Sequence, residues 1–354
     1  MKRKMIIGIS IFAASVLSAI IILNHPALGR APRGERQKHI EHSPNYKDGQ
    51  FVNREPTPLM TSSKSQWRVM WDNLTAKRPD DLVPPTDMPA VKTDLRRLDL
   101  SKDAVVWFGH SSYLLINGGR KILVDPVLTT GFPASIMMKP FKGTDIYSPE
   151  DIPEVDYLII THDHYDHLDY GTVRALRDRI GKVVCPLGVG EHFEYWGYPK
   201  EKITEMDWNE TFVTEDKLRI TCLPARHFSG RFLRRNPTLW ASYMIEGTST
   251  VYLGGDSGYG SHFAEIDHRF PHIDLAILEN GQYNENWKYI HTMPEQLPVE
   301  MHELGAKLNL PVHNGKYALA RHPWNEPQKE IENAAKKDST LRIISPIIGQ
   351  PIKY

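Results

Sequence analysis

The sequence predicts an α/β fold, and three observations carry that expectation. Apolar runs of strand length recur between residues 105 and 312, each running out into a polar or glycine-containing loop. Helical signals fall between them, and two of the earliest runs flank an Asn-Gly-Gly turn, the mark of a hairpin. The 354 residues allow one large domain or two small ones, and 40% hydrophobic content is ample for a core.

The amino terminus stands apart. Met5 to Leu23 carries no charge, is preceded by Lys2, Arg3 and Lys4, and is followed by Asn24, His25 and Pro26. Its length suits a membrane anchor better than the shorter apolar region of a cleaved signal peptide. The competing reading is cleavage after Ala27-Leu28-Gly29. The basic residues at 2–4 favour a cytoplasmic amino terminus with the main domain outside, nearly balanced by Arg30, Arg33, Arg36 and Lys38. Residues 1–29 are thus expected to be an anchor or signal segment, 30–95 an irregular leader packed on the main domain, and 96–354 that main domain. The leader is polar and proline-rich, as in Pro56-Thr57-Pro58 and Pro84-Pro85, so regular structure should be sparse there. Within it Trp67 and Trp71, four apart, would share a helical face that packs the leader onto the domain or rests at a membrane interface.

In the main domain Val105 to Phe108, Tyr113 to Ile116 and Lys121 to Val124 read as strands, the last two joined by the turn at Asn117-Gly118-Gly119. Gly131 to Lys142 is an apolar loop that either touches lipid or folds over the core. Tyr157 to Ile160 reads as a buried strand, Asp169 can cap a helix reaching about Ile180, and Val183 to Pro186 returns as a strand. Later strands at Leu218 to Leu223, Thr250 to Leu253 and Leu308 to Val312 lead to His227, Asp256 and His313 respectively.

Chemistry concentrates in Thr161-His162-Asp163-His164-Tyr165-Asp166-His167, directly after the fourth apolar run. Imidazole nitrogens and carboxylate oxygens suit borderline divalent cations, and four of them in six positions exceed what one ion needs from one loop. A balance of 43 basic and 43 acidic residues gives no reason to expect a nucleic-acid partner. Cys185 and Cys222 form no Cys-x-x-Cys and read as small apolar packing residues. Arg226, Arg231, Arg234 and Arg235 surround His227, either as a fork for phosphate oxygens or as solvated surface charge.

Taken in order, His162, His164, Asp166, His167, His227, Asp256 and His313 resemble the ligand series of the metallo-β-lactamase superfamily. Gly-His-Ser-Ser-Tyr at 109–113, Gly-Asp-Ser-Gly-Tyr at 255–259, Trp287 to His291 and the leader stretch Ser43 to Gly49 narrow the resemblance to its N-acylphosphatidylethanolamine-hydrolysing phospholipase D branch. The resemblance implies an αββα sandwich with its metals at one edge of the sheets. It assigns one zinc to His162, His164 and His227 and a second to Asp166, His167 and His313, with Asp256 bridging and His291 beside the scissile phosphate. Asp163 stands where the animal enzymes have Asn, and the surroundings of His227 and His322 match less closely.

Two zinc ions would hold a water between them as hydroxide, with Asp166 able to accept its proton, and N-acylphosphatidylethanolamine would yield N-acylethanolamine and phosphatidate. The alternatives are a lactonase or small-molecule phosphodiesterase on the same dinuclear site, and a non-catalytic envelope binding protein. The sequence says nothing of oligomeric state. All these readings require His227, Asp256 and His313 to converge on the opening cluster.

Overall fold

The structure, a computed structural model, describes residues 2–62, 65, 68, 71, 75, 77 and 79–354. Its strands in chain order are β1 (Tyr46–Lys47), β2 (Gln50–Phe51), β3 (Ala104–Trp107), β4 (Tyr113–Asn117), β5 (Arg120–Val124), β6 (Val155–Ile159), β7 (Ile180–Pro186), β8 (Ile203–Met206), β9 (Thr211–Val213), β10 (Arg219–Leu223), β11 (Ser242–Glu246), β12 (Thr250–Leu253), β13 (Leu275–Glu279), β14 (Leu308–Val312) and β15 (Pro351–Lys353). Gly118 and Gly119 both take left-handed φ values, 58° and 80°, and close the predicted hairpin as a two-residue loop that pairs Asn117 with Arg120.

Two larger sheets form. One runs β15-β3-β4-β5-β6-β7-β8, antiparallel through β5 and parallel from β5 to β8; the other runs β14-β13-β12-β11-β10-β9, antiparallel from β9 to β12 and parallel from β12 to β14. Successive side chains of a strand point to opposite faces, and both faces here are covered. Val105, Leu115, Ile122 and Ile159 of the first sheet meet Ile220, Tyr243, Val251 and Ile277 of the second in one cluster between the sheets. Their neighbours Val106, Leu114, Leu123 and Leu158 turn outward onto Val173, Leu176 and Phe193, carried by helices Tyr170–Leu176 and Gly190–Tyr195. Met244, Tyr252, Ala276 and Leu278 do the same against Phe263, Ile266, Leu297 and Met301 on helices His262–Arg269 and Leu297–Leu304. The result is the four-layer αββα sandwich that the resemblance implied. Asp169 caps its helix as expected, accepting from the Thr172 amide, and the last turn before β7 tightens into a 3₁₀ turn at Arg177–Arg179.

The leader is more ordered than its composition suggests. A helix, Gly34–Glu41, and the β1–β2 hairpin seat Ile40 and Phe51, both fully buried, in the cluster between the sheets. Each such side chain contributes about 1.5–3 kcal/mol. Arg36 secures the helix, its Nη2 to Glu194 at 3.0 Å, its Nε to Glu205 at 2.6 Å and its Nη1 to Glu191. Of the two tryptophans expected to share a face, Trp67 lies outside the described residues and Trp71 is exposed rather than packed. The amino-terminal stretch forms a helix, Lys2–Leu23. Among the described residues, however, no helix is long and apolar enough to cross a membrane, so the anticipated spanning anchor is not borne out by the described segment.

Candidate metal centre

The ligand-type residues come together because the carboxyl ends of the central strands open at one edge of the sandwich. β6 ends at Ile159 and delivers His162, His164, Asp166 and His167; β10 delivers His227, β12 Asp256 and β14 His313. Three imidazole nitrogens converge first. His162 Nε2 lies 2.9 Å and His227 Nε2 lies 3.3 Å from His164 Nδ1. His227 Nδ1 donates to the Ile290 carbonyl at 2.7 Å, which leaves Nε2 as the free lone pair.

The second set forms beside it. His313 Nε2 is 3.6 Å from Asp166 Oδ2, and His167 Nε2 is 3.7 Å from the same oxygen. His167 Nδ1 is held by Asp125 Oδ2 at 2.8 Å, and Asp125 is itself fixed by the Thr161 amide and hydroxyl at 2.8 and 2.6 Å. Asp256 lies between the two sets. Its Oδ2 stands 3.7 Å from His227 and 3.9 Å from His162 on one side and 3.2 Å from His313 on the other, while Oδ1 faces His167 at 3.1 Å. All seven residues named from the sequence therefore meet at one edge, and the groups His162-His164-His227, His110-Asp166-His167-His313 and His162-His167-Asp256 each gather ligand atoms within 4.8 Å of one another.

The donor set fits cations. His167 Nε2, His313 Nε2 and Asp256 Oδ1 are buried without a hydrogen bond, a state that buried polar atoms rarely tolerate. The charges agree. Burial alone would raise the Asp256 and Asp166 carboxyls, yet neighbouring histidines hold both well below the usual carboxylate range. Burial pulls His167 down, but Asp256 and Asp166 outweigh it and push it up to about 10; His313 is likewise raised. Burial first, and then neighbouring imidazoles, His167 and His164 for one and His164 and His291 for the other, hold His162 and His227 neutral. Ionised carboxylates beside the neutral imidazoles of His162 and His227 suit a borderline divalent ion, whereas His167 and His313, which the carboxylates hold protonated, would release those protons when a cation binds; three nitrogens on one side with mixed N and O donors on the other suit zinc, iron or manganese.

Four participants escaped the sequence reading. His110 joins the second set, its Nε2 3.0 Å from Asp166 Oδ2 and its ring 4.2 Å from that of His313; burial and the His313 charge bring it down to about 3. It follows an apolar strand just as His313 does, and both have positive φ, 52° and 63°, a strained conformation that aims side chains at functional sites. Glu279 ends β13, accepts the Ser257 amide on Oε2 at 2.7 Å, and presents Oε1 to His291 Nδ1 and to His313 Nδ1, the latter at 3.2 Å. His291 thus reaches the rim, its ring 5.1 Å from that of His227. Asp125 is the third. Asn53 is the fourth, a leader residue whose amide clasps the backbone of His227. The signal for the first three was the one used elsewhere, a polar residue closing an apolar strand.

Asp163 does not face the metal cluster. Its Oδ1 accepts the Gly230 amide at 2.7 Å and its Oδ2 takes the Nε2 proton of His192 at 3.2 Å, while the Arg30 amide donates to His192 Nδ1 at 3.0 Å. Neither reading of the arginine cluster survives for the partly buried Arg226 or the buried Arg231. Arg231 is consumed by the carbonyls of Asp163, Leu168 and Ala27, and Arg226 by Pro56, Tyr259 and the Thr57 hydroxyl, because loop carbonyls that converge in the interior need donors; only Arg234 and Arg235 are exposed. His322 lies apart from the metal-type groups, accepting the Gln282 amide and stacking on Tyr283.

Comparison with known proteins agrees with the architecture. Residues 120–314 match the family described as the Beta-lactamase superfamily domain. An uncharacterised protein of Mycobacterium tuberculosis is 39% identical over 321 residues, covering 88% of this chain and 85% of its own length. The N-acyl-phosphatidylethanolamine-hydrolyzing phospholipase D 1 of Caenorhabditis elegans is 31% identical over 246 residues, 64% of this chain and 68% of that protein. Among solved structures, a metallo hydrolase from the archaeon Ignicoccus hospitalis superposes with a TM-score of 0.55 at 19% identity, covering 72% of this chain and 98% of that one, a likeness of fold alone. With the matched domain spanning both sheets and the strand ends that carry the histidines, the chain belongs to the metallo-β-lactamase superfamily of metal-dependent hydrolases.

Proposed function

We propose that the protein is a dinuclear zinc phosphodiesterase of phospholipase D type, cleaving N-acylphosphatidylethanolamine to N-acylethanolamine and phosphatidate. The observation that carries the reading is the position of Asp256, whose carboxylate faces His162 and His227 on one side and His167 and His313 on the other. One set, His162, His164 and His227, would hold the first ion; Asp166, His167 and His313, with His110 beside them, would hold the second. Two ions in such a site supply a water of near-neutral pKa and a Lewis acid for a phosphoryl oxygen.

The chain's own groups account for the remaining chemistry. Asp166 sits half-buried at the mouth and can accept a proton from the attacking water. Glu279 fixes His291 through Nδ1, so Nε2 is the nitrogen left to protonate the departing alkoxide as the phosphorus–oxygen bond breaks. The similarity to the nematode phospholipase supports a lipid phosphodiester, and the charge-free run Met5 to Leu23 behind Lys2, Arg3 and Lys4 is the sequence basis for proposing a membrane-associated chain with its catalytic domain on the extracytoplasmic side.

The test sets purified, zinc-loaded full chain against N-acylphosphatidylethanolamine, a soluble aryl phosphodiester and a lactone. Release of N-acylethanolamine is expected, with zinc near two per chain. Cleavage of the lactone alone rejects the lipid reading, and a metal-poor, inactive protein rejects the enzyme. Asp256→Asn should remain folded and lose on the order of 10²–10³ in turnover.

A further inference from the structure

The open side of the metal cluster is framed by two loops whose tips are apolar and exposed. His164, Tyr165 and Asp166 are the half-buried part of the opening motif. Tyr165 packs on Val127, Ala134, Met138 and Tyr317, which ties it to the loop 131–142, and the Arg231 guanidinium lies 4.1 Å above its ring, which ties it to the loop 231–235. The first loop ends in Ile136 and Met137, 75% and 84% exposed; the second in Phe232 and Leu233, 52% and 85% exposed. Lys139, Arg234 and Arg235 are exposed beside them. Large apolar side chains at loop tips cost about 25 cal/mol per Å² in water, and their grouping calls for an occupant.

Two features identify that occupant. Apolar tips mixed with basic residues match the two zones of a bilayer, acyl chains below and anionic headgroups above. The apolar helix Lys2–Leu23 also leaves the domain here. His25, which follows it, packs its ring 4.8 Å from Phe132 of the first loop and 6.3 Å from Tyr170, and Pro26 is held through its carbonyl by Trp196 Nε1 at 2.9 Å. The side chains of Phe12, Val16, Leu17 and residues 20–23 are exposed along it.

The geometry points to a lipid-docking surface: Ile136, Met137, Phe232 and Leu233 enter an anionic bilayer while Lys139, Arg234 and Arg235 meet its headgroups, which sets the mouth of the metal site against the membrane. This surface rests on the lipid phosphodiester reading for its purpose, since a diester in the headgroup layer would reach His164 and Asp166 without leaving the bilayer. Its existence is measurable without turnover.

Cys185 and Cys222 are both fully buried, so a cysteine introduced at the surface can be labelled selectively. The full chain carrying Met137→Cys or Leu233→Cys is labelled with an environment-sensitive fluorophore and reconstituted in vesicles of phosphatidylcholine with or without phosphatidylglycerol. The control is Val213→Cys on β9, exposed beside Glu154 and Arg179 at the start of the parallel strands, the end of the sandwich opposite the ligand loops. Labels at 137 and 233 should shift to the blue, brighten several-fold and be quenched by spin-labelled acyl chains, while the label at 213 stays in water. Arg234→Ala with Arg235→Ala should diminish the signal on phosphatidylglycerol vesicles and leave that on pure phosphatidylcholine unchanged. Labels at 137 and 233 that remain water-exposed overturn the proposal. So does an equal shift at 213, or a shift without lipid that grows with protein concentration, which would assign the face to a second copy of the chain. Docking without lipid cleavage would refute the substrate and leave the surface standing.

Discussion

Asn53 holds both backbone groups of His227, its Nδ2 donating to the carbonyl at 2.7 Å and its Oδ1 accepting the amide at 3.1 Å. A leader residue thereby sets the position of an imidazole in the metal cluster from 174 positions away in the chain. Partners of this kind are worth about 10–100-fold in metal affinity. Asn53→Ala should weaken zinc binding by that order, and Asn53→Asp should do more harm because a carboxylate repels the carbonyl it faces. Competition with a chromogenic chelator measures both; wild-type affinity in the two variants would detach the leader from the site.

Arg231 joins three loops by donating to the carbonyls of Ala27, Asp163 and Leu168 at 2.7–2.8 Å. A buried carbonyl left without its donor costs about 1–3 kcal/mol. Arg231→Ala is therefore expected to lower stability by several kcal/mol, and Arg231→Lys to recover only part, since one ammonium cannot reproduce a planar fork. Denaturant unfolding compares them with Arg234→Ala, whose exposed side chain should leave stability within about 0.5 kcal/mol of wild type. A mild Arg231→Ala phenotype contradicts the structural role.

Glu279 serves two imidazoles, His291 and His313, through one oxygen. Glu279→Gln keeps the volume and an acceptor but removes the carboxylate that orients His291 through Nδ1. Turnover should fall by roughly 10²–10⁴, the range of a lost acid–base partner, with KM little changed. Zinc content is read in parallel. A variant with full turnover and full zinc would return His291 to a passive role.

His262 lies outside the metal cluster, buried against the Ser257 hydroxyl at 3.1 Å, and faces Glu55, Arg54 and Arg226. Burial lowers its pKa to about 4 from 6.5, with Glu55 opposing. Between these values the unfolded chain takes up a proton that the folded protein refuses, so the native state is undisturbed above pH 6.5 and loses stability as pH falls toward 4. The ceiling is about 3 kcal/mol. His262→Gln should flatten this part of the acid limb relative to wild type in urea unfolding at a series of pH values; parallel curves would show that His262 titrates freely.

The opening motif and the strand ends at His227, Asp256 and His313 were legible because each signal is local. An apolar run of strand length marks a strand, and the polar residue after it marks where the backbone leaves the sheet. His110 and Glu279 obey the same rule, yet many strands end in a polar residue. Only the sheet order, with β13 beside β12 and β14 and with β3 reaching the same edge, decides which ends become neighbours.

The amino-acid sequence by itself determined the α/β character, the Gly118-Gly119 hairpin and a ligand-rich loop after β6, since each depends on neighbours a few residues apart. Tertiary structure alone decided that Asp256 would stand between two histidine sets, that Arg226 and Arg231 would be spent on carbonyls, and that Asn53 and Arg30 would brace the site. Those outcomes depend on which surfaces two packed sheets and a docked leader bury together, and burial is a property of the assembled chain that no short stretch encodes.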